Sequence, residues 1–410
     1  MTILLIGLII YFGIYFLNYS WLKEPKILAI LFIGIIVLLV FVRFFTPEAA
    51  GTNRWIPIGP FNLQPAELAK IFVIVITSHI LGSNFEKVKP GKFRNLRYQS
   101  LNSNENTIYL NKNYLLKFIK SAIIILPILL LVLIQPSFGN TIIIFAIWTI
   151  LTLLFYPKQQ YILTLGLIFI TAATISFFIV IYKLYFLFPV LLISTFLFVK
   201  FGKITFISIL VISIIGALSI PLLNYGWNNV LHDYQRARIE NFLNPQSDPL
   251  GSGWQVRQSI IAIGSGRVFG KGLMKGTQSS QGILPYSHTD FIFASYAEQF
   301  GFVGSTILTI LLLVIPVRLF ILCEEVKSKY DKMILYGTGI LLLMHILINI
   351  GMNLGTLPVT GIPLPFISYG GSSLLSFMIA LGLVQNILKF NKDLNNFEKI
   401  LPSSGFIKYT

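Results

Sequence analysis

Asn244-Pro-Gln-Ser-Asp-Pro-Leu-Gly-Ser-Gly-Trp-Gln-Val-Arg-Gln-Ser259 is a polar, glycine-rich run in a chain that is otherwise close to hydrocarbon. Ile263-Gly-Ser-Gly266 and Leu284-Pro-Tyr-Ser-His-Thr-Asp-Phe-Ile-Phe293 follow it. Irregular backbone of this kind cannot lie in lipid, because its N–H and C=O groups would find no partner. It must face water or line a protein-walled cavity, and chemistry or recognition is expected there.

Outside this run the composition is that of a membrane protein. Of 410 residues, 55% are hydrophobic and 11% charged, against about 25% charged in a soluble domain. Apolar runs long enough to cross a bilayer number about eleven, near 2–18, 27–44, 67–83, 118–135, 140–156, 161–181, 184–199, 204–224, 296–322, 333–352 and 371–388. The sequence predicts an all-α polytopic membrane protein, one membrane domain over 1–410, with a large extracytoplasmic loop, 225–290, before the ninth span. Met1 to Leu17 has no basic start and no small-residue cleavage site, so it reads as a span and not as a removed leader. The single cysteine excludes an internal disulfide framework.

Charge sets the sides. Lys87, Lys89, Lys92, Arg94, Arg97, Lys112, Lys117 and Lys120 lie in 84–120, which contains a basic loop insertion at 84–117. Lys327, Lys329 and Lys332, and the tail 389–410, fall on the same side, which is then the cytoplasm. The polar part of the insertion, 98–113, reads as a mobile surface segment without chemistry. The net charge of +16 follows from this loop bias; no nucleic-acid motif accompanies it. The outer loop is also basic, which suits an anionic ligand such as a phosphate.

Acid-base chemistry on the outer face must choose among Glu48, Glu67, Asp233, Glu240, Asp248, Asp290, Glu298, His232 and His288. Asp290 ends a polar loop and begins an apolar run. A partly desolvated carboxylate there suits a general base; equally, Thr289 or Asp290 can cap the helix that follows. Glu67 and Lys70, at i and i+3 in an apolar run, can pair directly, and an intramembrane lysine needs such a reason. Glu298 lies roughly on the helix face of Asp290 and could line the same cavity. The Leu357-Pro-Val-Thr-Gly-Ile-Pro-Leu-Pro-Phe366 segment cannot be regular helix and is expected to form a re-entrant or capping loop.

These residues carry a resemblance. Asn53-Arg-Trp55, Gln64-Pro-Ala-Glu-Leu-Ala-Lys70, Gln135-Pro136, Asp233-Tyr-Gln-Arg236, Asp248-Pro-Leu-Gly-Ser-Gly253, Gly270-Lys-Gly272, Gly276-Thr-Gln278, His288-Thr-Asp-Phe-Ile-Phe293 and Pro358-Val-Thr-Gly-Ile-Pro-Leu-Pro-Phe-Ile-Ser-Tyr-Gly-Gly-Ser-Ser373 stand in one order over about 45–390. The chain resembles the SEDS family of cell-wall polymerases, which includes RodA and FtsW, and Pro358-Val-Thr-Gly361 is closer to the RodA members. The resemblance implies a peptidoglycan glycosyltransferase of the bacterial cytoplasmic membrane. It would join lipid II outside that membrane into β-1,4 glycan strands during elongation, with Asp290 as general base. It implies substrate contacts from Arg54, Glu67, Lys70, Gln135, Arg257, Gln258, Lys271, Lys275, Gln278, His288, Glu298 and Ser368. Arg54, Arg257, Lys271 and Lys275 would hold pyrophosphate by charge and side. A divalent cation (Mg or Mn) could share that work, although the sequence offers no separate metal cage. Implied partners are a class B penicillin-binding protein transpeptidase and the rod complex of MreB, MreC and MreD.

The chain departs from the family at Ser137, where an acid is usual. It also has two spans, not three, before Asn53, and room for three spans between Pro157 and Asp233 where the family has one. A start set too late would explain the first difference in span number. Two other functions compete: a lipid II flippase without bond chemistry, and an inactive scaffold. A transporter should carry ionisable groups at the midplane of several spans; here the motifs cluster on one face.

Overall fold

A computed structural model describes residues 2–46, 53–58, 61–82, 103–135, 137–154, 252–280 and 282–400, with isolated positions 236, 240 and 242. The chain forms two compact units, Met1–Thr152 with Asn241–Thr410, and Leu153–Glu240. Nearly all the described residues belong to the first unit, which holds the elements named below except for the last two residues of the helix Phe138–Leu154. The expected spans at 161–181, 184–199 and 204–224 lie outside the described residues. So do His232, Asp233, Asp248, Glu48 and most of the expected 225–290 loop before Ser252.

The helices are α1 (Thr2–Phe16), α2 (Pro25–Phe45), α3 (Pro65–Gly82), α4 (Ser103–Ile134), α5 (Phe138–Leu154), α6 (Ser252–Ser265), the short α7 (Thr277–Ser280), α8 (Ile292–Leu322), α9 (Lys329–Asn353) and α10 (Gly371–Ile400). Six of them are long and apolar enough to cross a membrane: α2, α3, α8, α9 and the apolar parts of α4 and α10. α1 and α5 are shorter apolar helices at two further expected spans. A small antiparallel hairpin, β1 (Ile56–Ile58) with β2 (Phe61–Leu63), is an addition to the all-helical expectation. The polar segment 98–113 differs from expectation too: from Ser103 onward it is the first part of α4. No proline or glycine interrupts 103–126, so the helix that the following apolar run demands extends back through it.

α3 and α9 are buried on most sides and form the centre. Small residues let them approach. A Cβ at Gly337 would meet Ile74 and Leu151, and one at Gly82 would meet the Tyr330 backbone. Close approach through small residues is how membrane helices gain packing when lipid is as apolar as their side chains. α1 lies along α10, where the Asn386 amide donates to the free C-terminal carbonyls Ile14 O (2.6 Å) and Leu17 O. At the far end of α9, Tyr19 donates to Asp331 Oδ2 at 3.0 Å and Lys23 pairs with Asp331 at 3.4 Å. Burial and the Asp331 charge push the Tyr19 phenol upward, so it stays a donor at any physiological pH.

α8 is broken. Gly301 has φ 67° and ψ −164°, a region open essentially to glycine alone. The span that follows, 302–322, is about 30 Å long, which matches the hydrocarbon core. One neighbouring segment satisfies four of the backbone groups at the break. Lys271 N donates to Glu298 O and Gly272 N to Gln299 O, each at 3.0 Å; Phe302 N donates to Arg267 O (2.8 Å) and Val303 N to Val268 O (3.1 Å). This approach leaves no room for side chains. A Cβ at Gly266 would collide with the Ala297 carbonyl oxygen, and one at Gly270 with that of Gln299. Gly301→Ala is therefore expected to cost about 1–3 kcal/mol through the backbone alone, and collision with the Gly270 and Val268 backbone adds to that. Thermal melting in lipid nanodiscs checks this against Gly264→Ala, whose Cβ would meet nothing; equal melting of the two variants would contradict it.

Candidate functional site

The segment His288–Thr289–Asp290 runs into the broken α8 and is pinned carbonyl by carbonyl. His288 O accepts from Tyr369 N at 2.9 Å. Thr289 O accepts from the Ser368 hydroxyl at 2.7 Å. Asp290 O accepts from both Asn349 Nδ2 and Asn353 Nδ2, each at 3.0 Å. The pins come from α9 and from the proline-rich loop 354–370, which is irregular as expected. Three proline rings and the positive φ of Gly361 (71°) and Phe366 (63°) keep that loop out of helix. It is tied down in turn: Asn349 Nδ2 donates to Ile362 O (2.7 Å) and Leu364 N donates to Ser368 Oγ (2.7 Å).

The Asp290 carboxylate is half-buried and lies at the open α-carbon of Gly361; a Cβ there would stand 3.4 Å from Oδ2. α8 begins at Ile292 with Phe291 at the N-cap position, whose own side chain makes no cap bond, and Asn353 Oδ1 accepts from the first-turn amide of Ala294 (3.0 Å). Beneath the segment Phe291 and Ala294 pack with Ala262, Leu284 and Val359, and Ser259 Oγ donates to Asn353 O at 2.7 Å. The result is a carboxylate on a backbone that has little freedom, with apolar packing below and a glycine beside it.

Glu298 does not line this cavity. It is fully buried, and five hydrogen bonds occupy its two oxygens. Lys271 Nζ (2.8 Å), Thr277 Oγ1 (3.0 Å) and Gln278 N (2.9 Å) donate to Oε1; Ser279 N (3.0 Å) and Ser279 Oγ (2.9 Å) donate to Oε2. Glu298 therefore organises 271–280 around the break. Lys271, expected on pyrophosphate, is neutralised by this carboxylate and also donates to Thr277 Oγ1 at 2.7 Å. Gln278 serves the same cluster through its backbone N–H.

Glu67 and Lys70 form a third group, sealed between α3, α5, α9 and α10. The Lys70 ammonium has three donors and three acceptors: Glu67 Oε2 at 2.8 Å, His345 Nε2 at 2.8 Å and Asn140 Oδ1 at 3.2 Å. His345 then carries its proton on Nδ1 and donates to Pro363 O at 3.2 Å. Ser376 Oγ donates to Glu67 Oε2 at 3.2 Å. Neither ion has a surface to offer a substrate. Their reach is indirect, through Pro363 to the loop that pins Asp290.

The other expected residues are dispersed. Gln135 is fully buried and donates to Leu39 O at 2.7 Å, a tie between α4 and α2. Arg54 is half-buried, with its guanidinium 5.8 Å from the Trp55 ring. Arg257, Lys275 and His288 are exposed, and Gln258 is half-buried. Ser137, in place of the usual acid, is a buried hydroxyl that accepts from Asn140 Nδ2 (3.0 Å) and Gln64 Nε2 (3.3 Å). Among the described residues no group of three or more His, Cys, Asp or Glu could hold a metal ion.

Sequence reasoning missed His345 and Asn353. The signal was present: His345, Asn349 and Asn353 recur every fourth residue on an otherwise apolar helix, one stripe along one face.

The profile of the FtsW/RodA/SpoVE cell cycle protein family matches residues 1–189 and 180–393. The chain is 30% identical over 406 residues to the peptidoglycan glycosyltransferase RodA of Treponema pallidum, covering 93% of this chain and 87% of that protein. It is 32% identical over 365 residues to the peptidoglycan glycosyltransferase MrdB of Escherichia coli K12, covering 89% and 78%. Among solved structures it is similar to a chain of a peptidoglycan synthase complex that coordinates polymerization and crosslinking. That match has TM-score 0.64, 24% identity, and covers 95% of this chain and 88% of the other. The rod shape determining protein RodA of Thermus thermophilus superposes with TM-score 0.54 at 21% identity, covering 95% and 86%.

Proposed function

The chain belongs to the FtsW/RodA/SpoVE family, and we propose that it polymerises lipid II with Asp290 as the general base. It is a multi-pass membrane protein and a peptidoglycan glycosyltransferase of the RodA kind. In the proposed reaction the acceptor sugar's 4-hydroxyl attacks the anomeric carbon of the donor. Asp290 takes the hydroxyl proton, the new β-1,4 bond forms, and the carbon–oxygen bond to undecaprenyl pyrophosphate breaks with inversion. The observation that carries this is the pinning of 288–290. A base must be held within hydrogen-bond reach of one hydroxyl, and three successive carbonyls fixed by two other elements do that.

The leaving pyrophosphate needs cations. Lys271 is engaged with Glu298; of the four expected cations, the exposed Arg257 is the one proposed to meet the pyrophosphate. A divalent cation could share that charge. The basic residues Lys327, Lys329 and Lys332 at the opposite ends of α8 and α9 support an extracytoplasmic position for Asp290, at the bacterial cytoplasmic membrane. A class B penicillin-binding protein would crosslink the strands, and the MreB, MreC and MreD complex would guide the pair during elongation.

A flippase would need ionisable groups that open to either side. The Lys70 group is sealed and saturated instead. Purified protein co-expressed with its transpeptidase, given fluorescent lipid II in proteoliposomes, tests the assignment. Glycan strands are the expected product; lipid II moved across the bilayer with no strands would overturn it.

Asn353→Leu is a second test. It removes one of two amides on Asp290 O and the acceptor for Ala294 N (3.0 Å), at a cost of about 1–3 kcal/mol. The turnover rate is expected to fall at least tenfold (roughly 1.4 kcal/mol of barrier), with the lipid II KM little changed. A rise in KM alone would place Asn353 in substrate binding.

A further inference from the structure

Arg267 to Lys275 shows a combination that a loop in water does not need. Its apolar tips point outward: Phe269 is 82% exposed and Met274 83%, with Val268 and Leu273 also exposed. Arg267 and Met274 hold positive φ (49° and 60°), a conformation that side chains disfavour. Much of its backbone is satisfied internally at the same time. The amides of Gly266, Arg267, Gly270, Lys271, Gly272 and Lys275 all donate to backbone carbonyls, and Met274 N donates to Gln299 Oε1 at 3.0 Å. Partners of this kind lower the cost of bringing irregular backbone to a membrane surface.

The tips continue a lipid-facing surface. The carbonyls of Arg267 and Val268 bond the amides of Phe302 and Val303, where α8 re-enters the hydrocarbon core. From there the outward face of α8 is Phe302, Ile307, Ile310, Leu311, Val314 and Val317, all exposed. Arg267 and Lys275 bracket the apolar tip and are themselves exposed. Cations flanking an apolar wedge fit a phosphate headgroup layer over acyl chains.

We propose that 267–275 is a membrane-inserted foot: Phe269 and Met274 dip into the lipid beside α8, while Arg267 and Lys275 take lipid phosphates. Apolar area and basic charge then act together, as in interfacial segments generally. The foot is stitched to the break in α8, so it would hold that break, and the start of the span, at the bilayer surface.

Spin labels on Phe269→Cys and Met274→Cys test this in full-length protein in phosphatidylglycerol nanodiscs; the native Cys323 is buried, and unsubstituted protein reports its background labelling. Accessibility to oxygen is expected to exceed that to a water-soluble nickel chelate several-fold at both positions. It should drop toward parity when Arg267→Gln and Lys275→Gln are added. Preferred access by nickel would put the tip in water and overturn the proposal. So would shielding from both reagents that arises only with the transpeptidase present, which would make the patch a protein interface. The readout is depth and not activity, so its failure leaves the glycosyltransferase reading standing.

Discussion

Asp290→Asn is expected to lower the initial rate of strand synthesis by about 10²- to 10⁴-fold, the usual contribution of a general base and about 3–5 kcal/mol of barrier. The substitution keeps the shape of the side chain and leaves every backbone pin in place, since His288 O, Thr289 O and Asp290 O are the bonded atoms. An amide cannot accept the hydroxyl proton at neutral pH. Loss of rate with unchanged melting therefore isolates the chemistry. Asp290→Glu asks a different question. It keeps the carboxylate and lengthens the arm by one methylene, beside a Gly361 whose Cβ position is already 3.4 Å from Oδ2. If rigid placement matters as the pins imply, glutamate restores little of the rate. Full activity in the glutamate variant would mean that the pinning is not the reason for the geometry.

The second large effect is expected at Lys70→Met. Removing one partner of a buried ion pair leaves the other charge without compensation, at about 3–5 kcal/mol. Glu67 would keep the Ser376 hydroxyl and its own buried surroundings, and Asn140 Oδ1 and His345 Nε2 would each lose a donor. The double variant Glu67→Gln with Lys70→Met removes both charges and is expected to recover much of the lost stability, because the penalty belongs to the orphaned ion and not to the pair. Thermal melting of the wild type, the two single variants and the double variant in nanodiscs measures that coupling. A Lys70→Met protein as stable as wild type would show that the network contributes nothing to the bundle. Activity is expected to fall with stability, since His345 ties this group to Pro363 and so to the loop under Asp290.

Spans such as 333–352 were legible because length and apolarity suffice to identify them, and α9 occupies Lys329–Asn353 as that rule requires. The break in α8 was not. Residues 296–322 read as one apolar run, and only a neighbouring chain that brings its own amides and carbonyls makes a break at Gly301 possible. That information lies some thirty residues upstream, in Gly266 and Gly270. Charges were misjudged for the same reason. Lys271 and Glu298 look available in sequence, each with no opposite charge beside it, yet they are each other's partner across the break. Asp290 was legible as a candidate because a carboxylate at the edge of an apolar run needs a reason. What fixes it was not, since the pins come from side chains on α9 and from a loop nearly eighty residues further on. The two asparagine pins left one trace, the four-residue spacing of Asn349 and Asn353, which His345 continues.

Lipid II binding and glycan formation, followed in the same nanodisc preparations of wild type and Asp290→Asn with the transpeptidase present, separate chemistry from recognition at Asp290. Both proteins are expected to bind lipid II alike, and wild type alone to make strands. Strands formed by Asp290→Asn at the wild-type rate would contradict Asp290 as the base.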